Sequence, residues 1–138
     1  MACFVAPLGE AILTSVIKHT AISRIQDEGK KSAWNERITA LEQLLYGGSI
    51  VLAAEHVYHG ELVFYPPFLT AMKNPADIPA MLHEIATAGT AMAVVVTAAW
   101  GLLCALALKK KPRFAAAARV ALGTLLMFAV DGLFAAFA

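Results

Sequence analysis

Hydrophobic and polar residues follow one another along this chain in long blocks rather than in the short alternation of β-strands. An uncharged run of 24 residues extends from Ile85 to Leu108. A second apolar run follows over 114–138, interrupted by Arg119 and Asp131. As a helix rising about 1.5 Å per residue, each run is long enough to cross about 30 Å of hydrocarbon. The pattern therefore predicts two membrane-spanning helices in the C-terminal half.

Shorter apolar stretches, interrupted by charges, predict two further helices in the N-terminal half. The four predicted helices cover about residues 6–27, 34–59, 79–108 and 114–137. Pro7 suits the first turn of helix one and Gly29 suits its C-terminal stop, while the membrane portion of that helix ends near Lys18. We expect an all-α fold, a single integral membrane four-helix bundle over residues 1–138.

Composition supports a membrane protein, because 59% of the chain is hydrophobic and 15% is charged. Soluble domains carry about 25% charged residues, so the composition argues against a soluble domain. The formal net charge is +1 and no basic face is visible, which removes the electrostatic case for nucleic acid. The predicted partner is the lipid bilayer.

Basic residues are distributed unequally among the three connections, and this inequality predicts orientation. The first connection carries Lys18, Arg24, Lys30, Lys31 and Arg37, and the third carries Lys109, Lys110, Lys111 and Arg113. The middle connection, 60–78, has Lys73 alone and contains Phe64, Tyr65 and Phe68, which suit an outer aromatic belt. We therefore expect the first and third connections inside and both termini on the outer side.

Histidines and carboxylates collect where helix two ends and helix three begins. Candidate metal ligands are Glu55, His56, His59, His83 and Glu84. Spacings of three and four residues bring side chains to neighbouring positions on a helix surface. Mixed imidazole and carboxylate ligation suits a divalent transition metal such as Zn, Fe, Mn or Ni. The alternative interpretation is a solvated helix end.

The same histidines allow a competing hypothesis, a haem b site. His56 or His59 on helix two would face His83 on helix three as axial ligands within a membrane bundle. Haem propionates favour neighbouring cations, whereas this end of the bundle offers Lys73 among several glutamates. A divalent metal is therefore favoured over haem.

Two acidic residues fall within predicted membrane helices and are candidate ion or proton sites, namely Glu10 and Asp131. Glu10 lies about 12 Å along the helix from Lys18, near the middle of the bilayer. Arg119 is a candidate basic partner for Glu10. The alternative is a protonated carboxyl group that is hydrogen-bonded to another helix.

Small residues recur at every fourth position of helix three and predict close helix packing. This packing stripe consists of Gly89, Ala93, Thr97, Gly101 and Ala105. The stripe packs either within the bundle or against another chain. Four helices bury little surface, so assembly into a homo-oligomer or a larger membrane complex is attractive.

Enzyme signatures are absent from the sequence, which has no phosphate-binding glycine loop, no Gly-x-Ser-x-Gly and no His-Glu-x-x-His. We therefore expect a non-enzymatic subunit or homo-oligomer with a metal or cation site at its outer face. One alternative is a membrane subunit of a redox complex that holds haem b or contacts quinone. Another is a structural assembly subunit without a ligand.

Three segments carry a resemblance: MACFVAPLGEAI, LLYGGSIVLAAEHVYHGELVFYPPFLTAM and MLHEIATAGTAMAVVVTAAWG. Through these segments the chain resembles a group of small four-helix prokaryotic integral membrane proteins of similar length. The resemblance implies a location in a prokaryotic cell membrane. It carries over no function and no site residues.

Overall fold

The structure, a computed structural model, describes residues 2–107 and 116–137. Its α-helical elements are α1 (Val5–Ile22), α2 (Glu28–Tyr58), α3 (Ile78–Glu84), α4 (Thr90–Ala107) and α5 (Ala116–Phe137), and a short 3₁₀ turn, Thr70–Lys73, lies between α2 and α3. A π-helical turn, Ile85–Gly89, joins α3 to α4 without a break. The five elements therefore make four helices, and the described residues form no strand, as the all-α prediction required.

The boundary between the first two helices differs from the sequence prediction. Helix α1 ends at Ile22 instead of near Asp27, and α2 begins at Glu28 instead of near Trp34. The carboxylate of Asp27 accepts hydrogen bonds from the backbone N–H groups of Gly29 and Lys30, at 3.0 and 3.2 Å. Asp27 is thus an N-cap, and Gly29 belongs to the first turn of α2 rather than stopping α1.

Two of the four helices are long and apolar enough to cross a membrane. These spans are Ile78–Leu106 and Ala117–Phe137, in the two regions where the long apolar runs predicted them. By the same measure of length and hydropathy, α1 and α2 do not qualify. Leu108, Phe114 and the basic segment between them, on which part of the orientation prediction rests, lie outside the described residues.

Helix α2 is the centre of the bundle, because α1, α4 and α5 all pack against it. The core is formed by aliphatic and methionine side chains that are at most 1% exposed: Leu44, Leu45 and Leu52 of α2, Met92 and Val96 of α4, and Met127 of α5. Burial of such side chains stabilises each helix contact by roughly 25 cal/mol per Å² of apolar surface.

Glycines allow α2 and α5 to approach closely. A β-carbon at Gly47 would lie 2.6 Å from Val120 Cγ1, and one at Gly48 would lie 2.5 Å from Met127 Sδ. Such separations are shorter than real Cβ contacts, so a larger residue at either position would require the facing side chain, or the helix that carries it, to shift. This is the role that small residues play in helix association in lipid.

The packing stripe is divided in two by the structure. A β-carbon at Gly89 would lie 2.6 Å from the Cys3 carbonyl oxygen, Ala93 is buried, and the Thr97 hydroxyl donates a hydrogen bond to Glu10. At Gly101, by contrast, no heavy atom of the described residues comes within 4 Å of such a β-carbon, and Ala105 is exposed. One part of the stripe therefore packs against α1 within the chain, and the other is open.

Polar contacts tie the helices together at the end of the bundle away from the α2–α3 connection. Lys18 Nζ lies 2.7 Å from both Glu42 Oε2 and Thr39 Oγ1, which joins α1 to α2. The indole N–H of Trp100 donates to the Arg37 carbonyl oxygen at 2.8 Å, which joins α4 to α2. These contacts set the relative rotation and depth of the helices and thereby position the opposite end.

Candidate functional site

A pocket of about 580 Å³ opens at the end of the bundle where α2 ends, α3 passes into the π-helical turn and α5 ends. It is lined by Glu55, His56, His59, Glu61, His83, Glu84, Thr87, Ala88, Asp131, Phe134 and Ala135. The structure therefore brings all five sequence-predicted metal ligands to one pocket. It also places there Asp131, which the sequence suggested as a separate ion site.

The local fold of the chain after α2 turns Glu61 back toward the pocket. Gly60 adopts a positive φ of 73°, the left-handed conformation that commonly ends a helix and that glycine tolerates best. The backbone N–H groups of Glu61 and Leu62 then donate to the His56 carbonyl oxygen, at 2.9 and 3.2 Å. Beyond this turn the connection folds back on itself through a Leu62–Leu69 bridge.

His56 is buried, with 7% of its surface exposed, and its ring is held in one orientation. Its Nδ1 lies 2.7 Å from the Leu52 carbonyl oxygen. Because a carbonyl oxygen only accepts, Nδ1 carries a proton, and in the neutral ring the lone pair is on Nε2. Nε2 lies 3.6 Å from Cys3 Sγ and 3.7 Å from Glu61 Oε2.

Cys3 is a member of the site that the sequence did not indicate. Its side chain is buried, and its thiol donates a hydrogen bond to Asp131 Oδ1 at 3.8 Å. Burial, with the nearby carboxylates of Asp131 and Glu84, raises the pKa of the thiol from 9.0 to about 12. The thiol is thus protonated at neutral pH in the absence of a cation.

The site therefore has two levels. Cys3 Sγ contacts two residues of the pocket lining, His56 and Asp131, and we call these three residues the pocket floor. Glu55, His59 and His83 form the pocket rim, where His59 Nε2 lies 3.9 Å from Glu55 Oε1 and the His59 side chain is 60% exposed. Cys3 and His56 of the floor are buried, whereas His59 and His83 of the rim are exposed.

The positions of the pocket side chains favour neither a preformed metal site nor a haem site. In the part of the chain that the structure describes, no three His, Cys, Asp or Glu side chains are arranged to hold a metal ion as they stand. The predicted ligands share a pocket but do not converge on one point, since His56 turns inward while His59 and His83 are exposed. The described lining carries four carboxylates and no Lys or Arg, which is unfavourable for haem propionates.

Glu10 lies outside the pocket and is not paired with Arg119. Its Oε1 accepts a hydrogen bond from Thr97, whereas Arg119 donates to Gln43 Oε1 at 3.1 Å. The candidate partner Arg119 is held instead by the Gln43 side chain of α2. Glu10 and Asp131, grouped by their charge in the sequence, therefore occupy different environments.

Comparison with known proteins adds no further evidence about the site. No protein-family model, no curated protein and no solved structure matches the chain. Any functional conclusion accordingly rests on the geometry of the described residues.

Proposed function

We propose that this chain is a multi-pass protein of the prokaryotic cell membrane that binds a divalent transition metal in its outer pocket, as a non-enzymatic subunit or homo-oligomer. The observation that carries the proposal is the pocket lining of three histidines and four carboxylates without a basic residue among those described. Carboxylates gathered at a low-dielectric boundary repel one another, and a bound cation relieves that repulsion. The same lining disfavours haem b.

Exposed apolar side chains support a membrane location for all four helices. Each helix has a bulky aliphatic residue that is more than half exposed: Leu13 at 59%, Ile50 at 63%, Leu102 at 61% and Leu125 at 67%. Water makes such surface costly in a monomer, whereas lipid does not. We propose four crossings on this basis, with both termini and the pocket outside, as the distribution of basic residues favours.

The open part of the packing stripe supports assembly with another chain. Gly101 and Ala105 present a small-residue surface that no described part of this chain covers. Small residues allow a second helix to approach closely in lipid. We propose that this face contacts a second copy or another subunit of a membrane complex.

The metal content of the purified full-length protein tests the proposed function. After dialysis against Zn²⁺, Mn²⁺ or Ni²⁺ and then buffer, we expect bound metal by elemental analysis and a higher melting temperature. His56→Ala combined with His83→Ala should abolish both effects, because it removes a pocket donor from each of two helices. His19→Ala, an exposed change on α1, is the control. Equal metal content in the pocket variant would show that the metal binds outside the pocket. No metal in the parent protein would leave the structural-subunit hypothesis, and a Soret band in the native protein would indicate haem.

A further inference from the structure

A second cavity, also of about 580 Å³, is an open and largely apolar groove on the side of the bundle, bounded by α1, α2 and α5. We call it the side groove, and it shares no lining residue with the pocket. Along α2, its polar lining residues come first, and its apolar ones follow: Glu42, Gln43 and Tyr46, then Gly47, Ile50 and Val51. The side groove therefore has a polar end and an apolar end.

The two ends of the side groove lie at different depths along the bundle. Helices α2 and α5 run in the same direction, since Gln43 contacts Arg119 and Gly48 approaches Met127. Arg119, beside the polar end, is the third residue of the apolar span Ala117–Phe137. The apolar end lies about 12 Å further along α2, toward the middle of a hydrocarbon layer about 30 Å thick. In a membrane, the polar end is thus at the level of the lipid head groups and the apolar end at that of the acyl chains.

The polar end carries one net positive charge, that of Arg119. Its Nη1 donates to Gln43 Oε1 at 3.1 Å, and no carboxylate among the described residues pairs with it. The two other charged side chains here, Lys18 and Glu42, neutralise each other across 2.7 Å. A guanidinium has five N–H donors in a planar fork that matches the oxygens of a phosphate group. Arg119 therefore has donors to offer to an anion beyond the one that Gln43 accepts.

Neutral donors of the side groove lie next to this charge. Ser15 Oγ lies 3.3 Å from Tyr46 Oη, and this contact uses one of the two hydroxyl protons, so the other can be donated to a ligand. The amide nitrogen of Gln43 adds two N–H donors, while its oxygen accepts from Arg119. A cation beside several donors favours a negatively charged, oxygen-rich head group over a positively charged one.

We infer that the side groove binds an anionic phospholipid, with its phosphate at Arg119 and one acyl chain along Ile50 and Val51, which are 63% and 39% exposed. This inference rests on the membrane location in the proposed function and adds a second ligand site, separate from the pocket. Basic sites between membrane helices recognise anionic head groups in this way. A zwitterionic lipid carries an ammonium group that offsets the phosphate charge, so the site prefers phosphatidylglycerol to phosphatidylcholine.

Competition between these two lipids tests the head-group contact. The full-length protein in detergent is mixed with equal amounts of phosphatidylglycerol and phosphatidylcholine that have the same acyl chains, and native mass spectrometry gives the ratio of the two adducts. We expect a ratio of about five in favour of phosphatidylglycerol, as one basic residue beside an anionic head group provides. Arg119→Gln should bring the ratio close to one. Arg24→Gln, which removes the same charge at an exposed position between α1 and α2, should preserve it.

Filling the side groove tests the contact with the acyl chain. Val51→Trp places a large side chain at the apolar end of the groove and should weaken the binding of both lipids several-fold. Val94→Trp is the matched control, because Val94 is 61% exposed on α4 and does not line the groove. If Arg119→Gln does not fold, this pair of tryptophan variants still tests the site, and equal lipid binding by both would overturn it.

The outcomes separate this inference from the proposed function. Equal binding of the two phospholipids by the parent chain, or the same ratio in Arg119→Gln and Arg24→Gln, would overturn the lipid site and leave metal binding by the pocket standing. A preference for phosphatidylglycerol in a chain that binds no metal would support the lipid site and overturn the metal proposal. Recovery of the chain in the soluble fraction of cells, without detergent, would overturn both.

Discussion

The backbone of Gly123 in α5 lies against the carbonyl oxygen of Leu44 in α2, so closely that a β-carbon at position 123 would overlap that oxygen. Leu44 is 1% exposed, and the overlap would be with backbone, which cannot rotate away as a flexible side chain can. Gly101 of α4 is the opposite case, because a β-carbon there meets no heavy atom of the described residues within 4 Å. Two helical glycines in one bundle thus have different structural consequences.

Alanine substitution at these two glycines should separate their roles. Gly123→Ala should lower the free energy of unfolding by about 1–3 kcal/mol, as overpacking does. Gly101→Ala should be neutral or slightly stabilising, because alanine favours helix by up to about 1 kcal/mol over glycine. Both substitutions gain the same helix propensity, so their difference measures the helix contact. Unfolding in mixed micelles followed by circular dichroism provides the measurement, and equal effects would contradict the close α2–α5 packing.

The ion pair between Lys18 and Glu42 should be important for stability because both side chains are largely buried, at 19% and 14% exposure. Lys18→Met leaves the Glu42 carboxylate without its cation and should cost about 3 kcal/mol. Lys18→Met combined with Glu42→Met should cost much less, since no unpaired charge remains.

The more exposed pair of Lys31 and Glu28 is the control for that cycle, with side chains 39% and 83% exposed. Solvent screens such a pair, so Lys31→Met should leave the unfolding free energy unchanged within error. If the Lys18 single variant were no less stable than the double variant, the pair would have to be exposed to water.

The Asp131 carboxylate should help keep the Cys3 thiol protonated. Burial and this carboxylate raise the thiol pKa to about 12, so the thiolate fraction is very small at pH 8. Asp131→Asn removes the negative charge, which lowers the pKa and increases the thiolate fraction. In a Cys104→Ser background we expect the ultraviolet absorbance of the thiolate to appear at lower pH in Asp131→Asn, with the chain in which Cys3 is also replaced by Ser as the spectral reference. The same pH dependence with and without Asp131 would exclude the electrostatic effect.

Membrane orientation can be tested with single cysteines in a background without Cys3 and Cys104. Lys73 lies in the exposed α2–α3 connection, and Lys30, with 76% of its side chain exposed, lies in the first turn of α2. If the unequal distribution of basic residues sets the topology, an impermeant maleimide should label Lys73→Cys in intact cells. It should label Lys30→Cys only after permeabilisation. Reversed labelling, or labelling of both in intact cells, would contradict the proposed orientation.

The helical class and the two apolar spans could be predicted from sequence because they depend on residues that are neighbours in the chain. A long uncharged run makes a helix that lipid can surround, whatever packs on it. The boundary of α1 and α2 was missed because Gly29 suits either a helix stop or a first turn. In the structure Gly29 lies in the first turn of α2, because the Gly29 and Lys30 N–H groups donate hydrogen bonds to Asp27, the N-cap.

For the site, the sequence by itself determined that Glu55, His56 and His59 are neighbours, because the helix repeat sets their spacing. Tertiary structure alone decided that Cys3 joins them, since His56 is 53 residues and Asp131 is 128 residues away along the chain. It also decided that His56 is buried while His59 is exposed. The physical reason is that periodicity relates residues on one helix surface, whereas the contact between different helices depends on their rotation and depth. The rotation and depth of the helices depend on contacts elsewhere in the bundle, such as that of Gly123 with Leu44 and that of Lys18 with Glu42.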